Sequence, residues 1–317
     1  MKLSILFPGQ GAQFIGMGKD VAEAYPAARA VFDEVDDALG VKLSELMWEG
    51  ERDILDLTVN AQPALMTASI AVLRGLECEG LERRDFAVLA GHSLGEYTAL
   101  CAAGSLSLPT TARLLRSRGQ AMQEAVPVGE GAMAAILGLG IEEVEAIARE
   151  ASSVGLCEVA NDNDPKQVVV SGQLAAVERA MRIAPGIGAR RAVRLATSAP
   201  FHCSMMQPAA EKMKDHLAQV RFSEPNAAVV ANVTACPVPS AGDIPELLVR
   251  QVTGRVRWRE TMLWMAAEGI GRAFELGAGN ALSGMCRRTV PTVSCSPCGT
   301  PAQLRTAIQQ LRENRDV

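Results

Sequence analysis

Ser93 stands in the run Gly91-His92-Ser93-Leu94-Gly95. This is a G-x-S-x-G pattern, in which a sharp strand-to-helix turn pushes a serine hydroxyl out of a sheet. A serine hydroxyl needs a base to become a nucleophile, and the chain has three histidines to supply one. His92 adjoins Ser93, and neighbouring side chains in such a turn diverge, so His92 is expected to pack under the turn. His216 falls in a helical stretch, Gln207 to Val220, whose apolar stripe is Ala210, Met213, Leu217 and Val220. That leaves it on the polar face beside Lys212, Asp215 and Gln219. His202 remains, in the apolar loop Ala199-Pro200-Phe201-His202 that follows the strand-like Arg194-Leu195-Ala196-Thr197. Elimination makes His202 the expected base.

These residues need elements to hold them. Phe86 to Ala90 is a short apolar run ending at Gly91, and Glu96 to Ala103 is compatible with a helix. Ser93 is therefore expected between a strand and a helix, whose first N–H groups and positive dipole end face whatever reacts there. Leu3 to Phe7 reads as a buried strand running into the loop Pro8-Gly9-Gln10-Gly11. Arg113 to Met122 reads as a helix carrying Arg118. Arg113 and Arg116 are expected to be exposed. Arg118, beside Gly119 and the apolar Ala121-Met122, either shares that solvated face or lines a cleft wall. In a cleft its planar fork would take a carboxylate bidentately, which lysine cannot copy.

Periodicity divides the chain. Residues 1–127 and 198–317 alternate strand-like runs with amphipathic helices and read as one large layered α/β domain of α/β-hydrolase-like type. In the return segment, Ala228 to Ala231 and Arg272 to Leu276 read as strands, and Glu260 to Glu268 as a helix. Residues 128–197 instead give strand Ala132 to Leu137, helix Glu142 to Ala151, strands Leu156 to Ala160 and Val168 to Ser171, helix Leu174 to Ile183 and strand Ala192 to Ala196. That order is βαββαβ, an inserted small ferredoxin-like subdomain. Pro127-Val128-Gly129 and Ser198-Ala199-Pro200 flank it as hinges, and a site is expected in the cleft between the two units.

With 317 residues the chain can bury a sizeable core, and a net charge of −5 gives no sign of general nucleic-acid binding. No stretch approaches the roughly 20 continuous apolar residues that span a bilayer. The apolar start, Leu3 to Phe7, is too short for a signal peptide and runs at once into Pro8-Gly9, so a cytoplasmic protein is expected. The eight cysteines are scattered. Cys295-Ser296-Pro297-Cys298 stands alone as a C-x-x-C and reads as reduced surface or loop thiols rather than a metal or redox centre. Cys101 and Cys203 read as small packing residues.

Taken together, Phe7-Pro8-Gly9-Gln10-Gly11, Gln62-Pro63-Ala64, Gly91 to Glu96, Arg118-Gly119, Met122-Gln123, Gly131 to Ala135, Gln167 to Gly172, Pro200-Phe201-His202 and Val249-Arg250-Gln251 resemble the malonyl-CoA:acyl-carrier-protein transacylase family. The resemblance covers essentially the whole chain. It implies transfer of a malonyl group from malonyl-CoA to the phosphopantetheine thiol of an acyl carrier protein, through an ester on Ser93, with His202 as base and no cofactor or metal. It further implies backbone N–H groups of Gln10 and Leu94 in the oxyanion hole, Arg118 on the malonyl carboxylate, and the Gln251 backbone carbonyl orienting His202. Fatty-acid synthesis is the expected setting, and Phe201 resembles the malonyl-selective form of the family. Two segments depart from the pattern: Gly277-Ala278-Gly279-Asn280, where the family more often has Gly-Pro-Gly, and the unusually acidic loop Asn161-Asp162-Asn163-Asp164-Pro165-Lys166.

Three alternatives stand beside this reading: a serine esterase or thioesterase of the α/β-hydrolase type, an acyltransferase subunit of a polyketide or malonate-decarboxylase system, and a docking subunit without activity. The first needs an Asp or Glu between Ser93 and His202 in the chain, and no candidate stands out. The last would have no need of Ser93, His202 and Arg118 together. Carrier proteins are acidic, so docking to an acidic chain calls for a local basic patch. Arg190-Arg191 with Arg194, and Arg287-Arg288, are the expected clusters.

Overall fold

Leu3, Ile5 and Phe7 alternate with Ser4 and Leu6, and all five are buried. A strand buried on both faces belongs to a parallel sheet covered by helices. The computed structural model, which describes residues 2–82, 85–197 and 199–313, has this strand in such a sheet. The strands in chain order are β1 (Lys2–Phe7), β2 (Phe86–Gly91), β3 (Gly131–Leu137), β4 (Cys157–Asp164), β5 (Gln167–Gln173), β6 (Arg191–Arg194), β7 (Ala228–Ala231), β8 (Cys236–Pro237), β9 (Ile270–Leu276) and β10 (Ser294–Cys298). The larger sheet has the order β10-β9-β1-β2-β7-β8 and is parallel except for the β7–β8 pair. On one face Ile5, Phe7 and Leu89 pack with helices that include Pro26–Leu39, Thr58–Cys78 and Leu108–Glu124. On the other, Leu6, Val88, Ala90 and Val230 pack with Trp258, Met262 and Met265 of the helix Trp258–Ala267 and with Leu282 and Met285 of the helix Ala281–Thr289.

The smaller sheet is antiparallel with order β4-β5-β3-β6. With the helices Ile141–Ala151 and Leu174–Ile183 it makes the βαββαβ arrangement, within residues 128–197. The two faces of β3 show how it is seated. Ala134 and Ile136 face Val144, Ile147, Val177 and Ala180 of its own helices. Met133 and Ala135 join the core of the large unit. Of the expected hinge, Ser198 lies outside the described residues, while Ala199 and Pro200 are buried.

Two expectations need correcting. Asn161 to Asp164 is not an acidic loop but the end of β4, and all four residues are buried. The carboxylates are tolerated because they are paired: Arg259 lies 2.9 Å from Asp162, and Arg288 lies 2.7 Å from Asp164. The backbone pairs as well, with Val256 N–H donating to Ala160 and Asp162 N–H donating to Val256. The acidic stretch thus fastens the small unit to the large one. Likewise Cys295 and Cys298 lie not in a loop but on β10, with Cys298 buried and both thiols free. Pro297 fits there because β10 is an edge strand. No helix of the described residues is long and apolar enough to cross a membrane, and no cluster among them could hold a metal ion.

Candidate active site

β2 ends at Gly91 and the helix Leu94–Ala102 begins three residues later. Ser93 bridges them at φ 55°, ψ −111°, a region costly for any residue with a side chain. The two glycines of the motif answer a different need, close approach. A Cβ on Gly91 would overlap the Gly95 carbonyl, and one on Gly95 would overlap the Phe7 carbonyl at the end of β1. The strain falls on Ser93 itself, and Asn232 holds it there. Just past β7, Asn232 accepts the Ser93 N–H on Oδ1 at 2.7 Å and donates from Nδ2 to Gly91 O at 2.7 Å.

Ser93 Oγ lies 2.7 Å from His202 Nε2, and His202 Nδ1 lies 2.9 Å from the Gln251 backbone carbonyl. A carbonyl only accepts, so Nδ1 carries the proton and Nε2 is left to accept from the serine. His202 is buried, and that burial, followed by the nearby Arg118 cation, pushes its pKa down to about 3. The ring is therefore neutral at physiological pH.

Arg118 is one of the largest fully buried side chains described. Nη1 donates to Gln62 Oε1 at 2.7 Å, and Nη2 to Gln251 Oε1 at 2.8 Å and to Ser93 Oγ at 3.2 Å. Three of its five N–H hydrogens are thus committed; of the other two, one is on Nη1 and one on Nε, which is buried with no hydrogen-bond partner among the described residues. The guanidinium also lies over the Tyr97 ring, 5.6 Å from its centroid. Burial lowers the Arg118 pKa, against Tyr97 and Glu96, which hold it up.

Gln10 is tied to the same cation: Thr58 Oγ1 donates to Gln10 Oε1 at 2.8 Å and accepts from Gln62 Nε2 at 2.9 Å. The Gln10 and Leu94 N–H groups have no protein acceptor among the described hydrogen bonds. Both residues line a cleft of about 350 Å³ with Ser93, His202 and Arg118, and Met122, Met133 and Phe201 supply apolar wall.

The other arginines differ. Arg113 is exposed, but Arg116 is half-buried and donates to Asn60 at 2.6 Å. The four-stranded sheet joins the two basic clusters in one register row, Asp164↔Gln167↔Leu137↔Arg191. Arg190 and Arg191 are exposed at one edge of that row, and Arg287 and Arg288 are exposed beside the other. Arg288 is bound to Asp164, and Arg194 lies 3.9 Å from Glu178. His92 Nε2 lies 2.9 Å from Asn163 Oδ1, with its ring against Trp258, and the residue is half-buried at the cleft wall rather than packed wholly under the turn. His216 is exposed.

Thr58, Gln62, Glu96 and Asn232 join the site through contacts that the sequence alone does not announce. One signal was available, an acid in an otherwise apolar helix one turn after Ser93. Asn232 gave none, because only the sheet order sets β7 beside β2.

Over residues 5–276 the chain matches the acyl transferase domain family. It is 44% identical over 316 residues to the malonyl CoA-acyl carrier protein transacylase of Bacillus subtilis strain 168, covering 99% of each chain. The crystal structure of the acyl-carrier-protein S-malonyltransferase of Bartonella henselae superposes with a TM-score of 0.96 at 51% identity, covering 98% of this chain and 100% of that one. A malonyl-transacylase solved in complex with a type II PKS acyl-carrier protein superposes at 0.95 and 40% identity, covering 98% and 100%.

Proposed function

The chain belongs to the acyl transferase domain family, and on that premise we propose that it moves a malonyl group from malonyl-CoA to the phosphopantetheine thiol of an acyl carrier protein, through an ester on Ser93. The observation that carries this reading is the buried Arg118 guanidinium, 3.2 Å from the Ser93 hydroxyl. A cation there suits an acyl chain that ends in a carboxylate, and one Nη1 hydrogen remains uncommitted to receive it.

His202 takes the Ser93 proton as Oγ attacks the thioester carbonyl. The Gln10 and Leu94 N–H groups receive the developing oxyanion, each at a worth of roughly 3 kcal/mol of barrier. The C–S bond breaks and His202 returns its proton to the departing CoA sulfur. In the second half His202 takes the proton of the carrier's thiol. The sulfur attacks the malonyl ester, and the proton passes to Ser93 Oγ as the C–O bond breaks. The protein groups supply every proton transfer, so the reaction needs no cofactor. The Gln251 carbonyl takes the place of a triad acid.

The carrier docks, on this reading, against the basic end of the small sheet at Arg190, Arg191, Arg287 and Arg288. The setting is the cytoplasm, and fatty-acid synthesis is the pathway. The test is partition of the malonyl-enzyme. Isolated acyl-enzyme mixed with holo carrier protein should pass its malonyl group to the carrier thiol much faster than to water. Hydrolysis at the same rate with and without carrier would overturn transfer in favour of an esterase.

A further inference from the structure

Glu96 follows Ser93 by one helical turn and is 1% exposed. Its Oε2 accepts from Gln251 Nε2 at 2.7 Å and from the Asn232 N–H at 3.0 Å. Each of these partners holds part of the site. The Gln251 amide lies between the carboxylate and the Arg118 guanidinium: Nε2 also donates to Ser93 O at 2.9 Å, while Oε1 accepts from Arg118 Nη2. Only one amide orientation fits. Reversed, it would set NH2 against a guanidinium and an oxygen against both a carboxylate and a carbonyl. The backbone carbonyl of the same residue holds His202 Nδ1. Asn232, the second partner, clamps the strained Ser93 turn at Gly91 and Ser93.

We infer that Glu96 is a positioning residue that works as a carboxylate, directing the Gln251 amide, and through it Arg118, while fixing Asn232 and the Ser93 turn. The inference rests on the acyl-transfer reading of Ser93, His202 and Arg118.

The titratable groups that face Glu96 are Arg118 from the helix Leu108–Glu124 and Tyr97 from its own helix, and His202 is reached only through Ser93 and Gln251. Burial raises the Glu96 pKa to about 7, while the Asn232 N–H, the Gln251 amide and the Arg118 cation pull it back. Free enzyme below neutrality therefore carries Glu96 protonated. The amide then loses its anionic anchor and the buried cation its counter-charge. His202, near 3, does not titrate in that range. Burial also moves the His92 pKa below its ordinary 6.5, so an acid limb near 7 is assigned to Glu96.

The test is the pH profile of kcat/KM for formation of the malonyl-enzyme. Malonyl-pantetheine serves as donor because it carries no phosphate to titrate. Wild-type acylation should fall as pH drops through about 7. Glu96→Gln should lower kcat/KM by about 10²-fold, the cost of misplaced reacting groups, and its profile should be flat from pH 6 to 8. Glu96→Asp, which keeps the charge, should restore the limb at a reduced rate. If Glu96→Gln does not fold, the wild-type and Asp profiles decide. A flat wild-type profile, a limb retained in Glu96→Gln, or a flat profile in Glu96→Asp overturns the inference. Absence of any malonyl-enzyme in the wild type overturns the acyl-transfer reading instead.

Discussion

Arg118 Nη2 lies 3.2 Å from Ser93 Oγ, so the buried cation and the nucleophile meet at the floor of one cleft. The guanidinium that would receive the carboxylate of an acyl group also touches the oxygen that would carry that group. Selection of the substrate and the chemistry then depend on the same side chain.

Arg118→Ala should therefore lose malonyl transfer and retain or gain transfer of a neutral acetyl group. A buried cation disfavours an uncharged chain, and its removal opens space beside Met122 and Phe201, at the cost of leaving the Gln62 and Gln251 amide oxygens without their donor. Steady-state kinetics with malonyl-CoA and acetyl-CoA check this. Equal loss of both activities would make Arg118 structural. Phe201, in the cleft wall, should also make the α-branched methylmalonyl-CoA a poor donor.

His202→Ala should slow both half-reactions by about 10²–10⁴-fold, the usual worth of a general base. His216→Ala, on an exposed helix face, should change neither. Stopped-flow acylation and carrier transfer read the two steps separately. The reverse outcome, harm from His216 and none from His202, would contradict the base assigned here.

The large pattern was legible because it is periodic: β1, β2 and the βαββαβ run carry their burial in the spacing of apolar residues. The meeting of Ser93 with His202, 2.7 Å apart, was legible because a local motif and a count of three histidines narrowed the choice. Asn161 to Asp164 was misread because charge signals a loop only when nothing neutralises it. Here Arg259 and Arg288 come from far along the chain. The contacts of Asn232, Thr58 and Gln62 with the site arise only once β7 and the helix Thr58–Cys78 pack beside the elbow. Their spacing in sequence carries no trace of that.

His202 also marks the pH dependence of stability. Its folded pKa is depressed to about 3 from an ordinary 6.5, so below 6.5 the unfolded chain binds a proton that the native state refuses. That lowers stability by about 2 kcal/mol between pH 7.5 and 5. Glu96 opposes it: its pKa is raised from 4.5 to about 7, so the native state holds the extra proton and gains stability as pH falls through 7. Glu96 thus offsets much of the His202 loss, while His92, whose pKa burial also lowers, adds to it. His202→Gln should gain about 2 kcal/mol relative to the wild type on acidification to pH 5. Urea melts at the two pH values measure the difference, and parallel behaviour of both proteins would count against a buried neutral His202.

Charge reversal at Arg190 and Arg191 should raise the carrier KM, steeply at low salt, and leave acylation by malonyl-CoA nearly untouched. On the other edge of the row, Arg287→Glu should do the same. Arg288→Glu should destabilise the fold instead, because Asp164, 1% exposed, would lose its partner and face a like charge. Carrier kinetics unchanged in both the Arg190/Arg191 and the Arg287 variants at low salt would exclude this end of the small sheet as the docking face.

The central claim is an ester on one serine. Intact-mass and peptide mass spectrometry after brief exposure to malonyl-CoA tests it most directly. One malonyl group per chain should appear, on the peptide that carries Ser93, and none should appear in Ser93→Ala, because the strained turn that presents this hydroxyl to His202 presents no other. A malonyl adduct persisting in Ser93→Ala, or mapping to another residue in the wild type, would contradict the account.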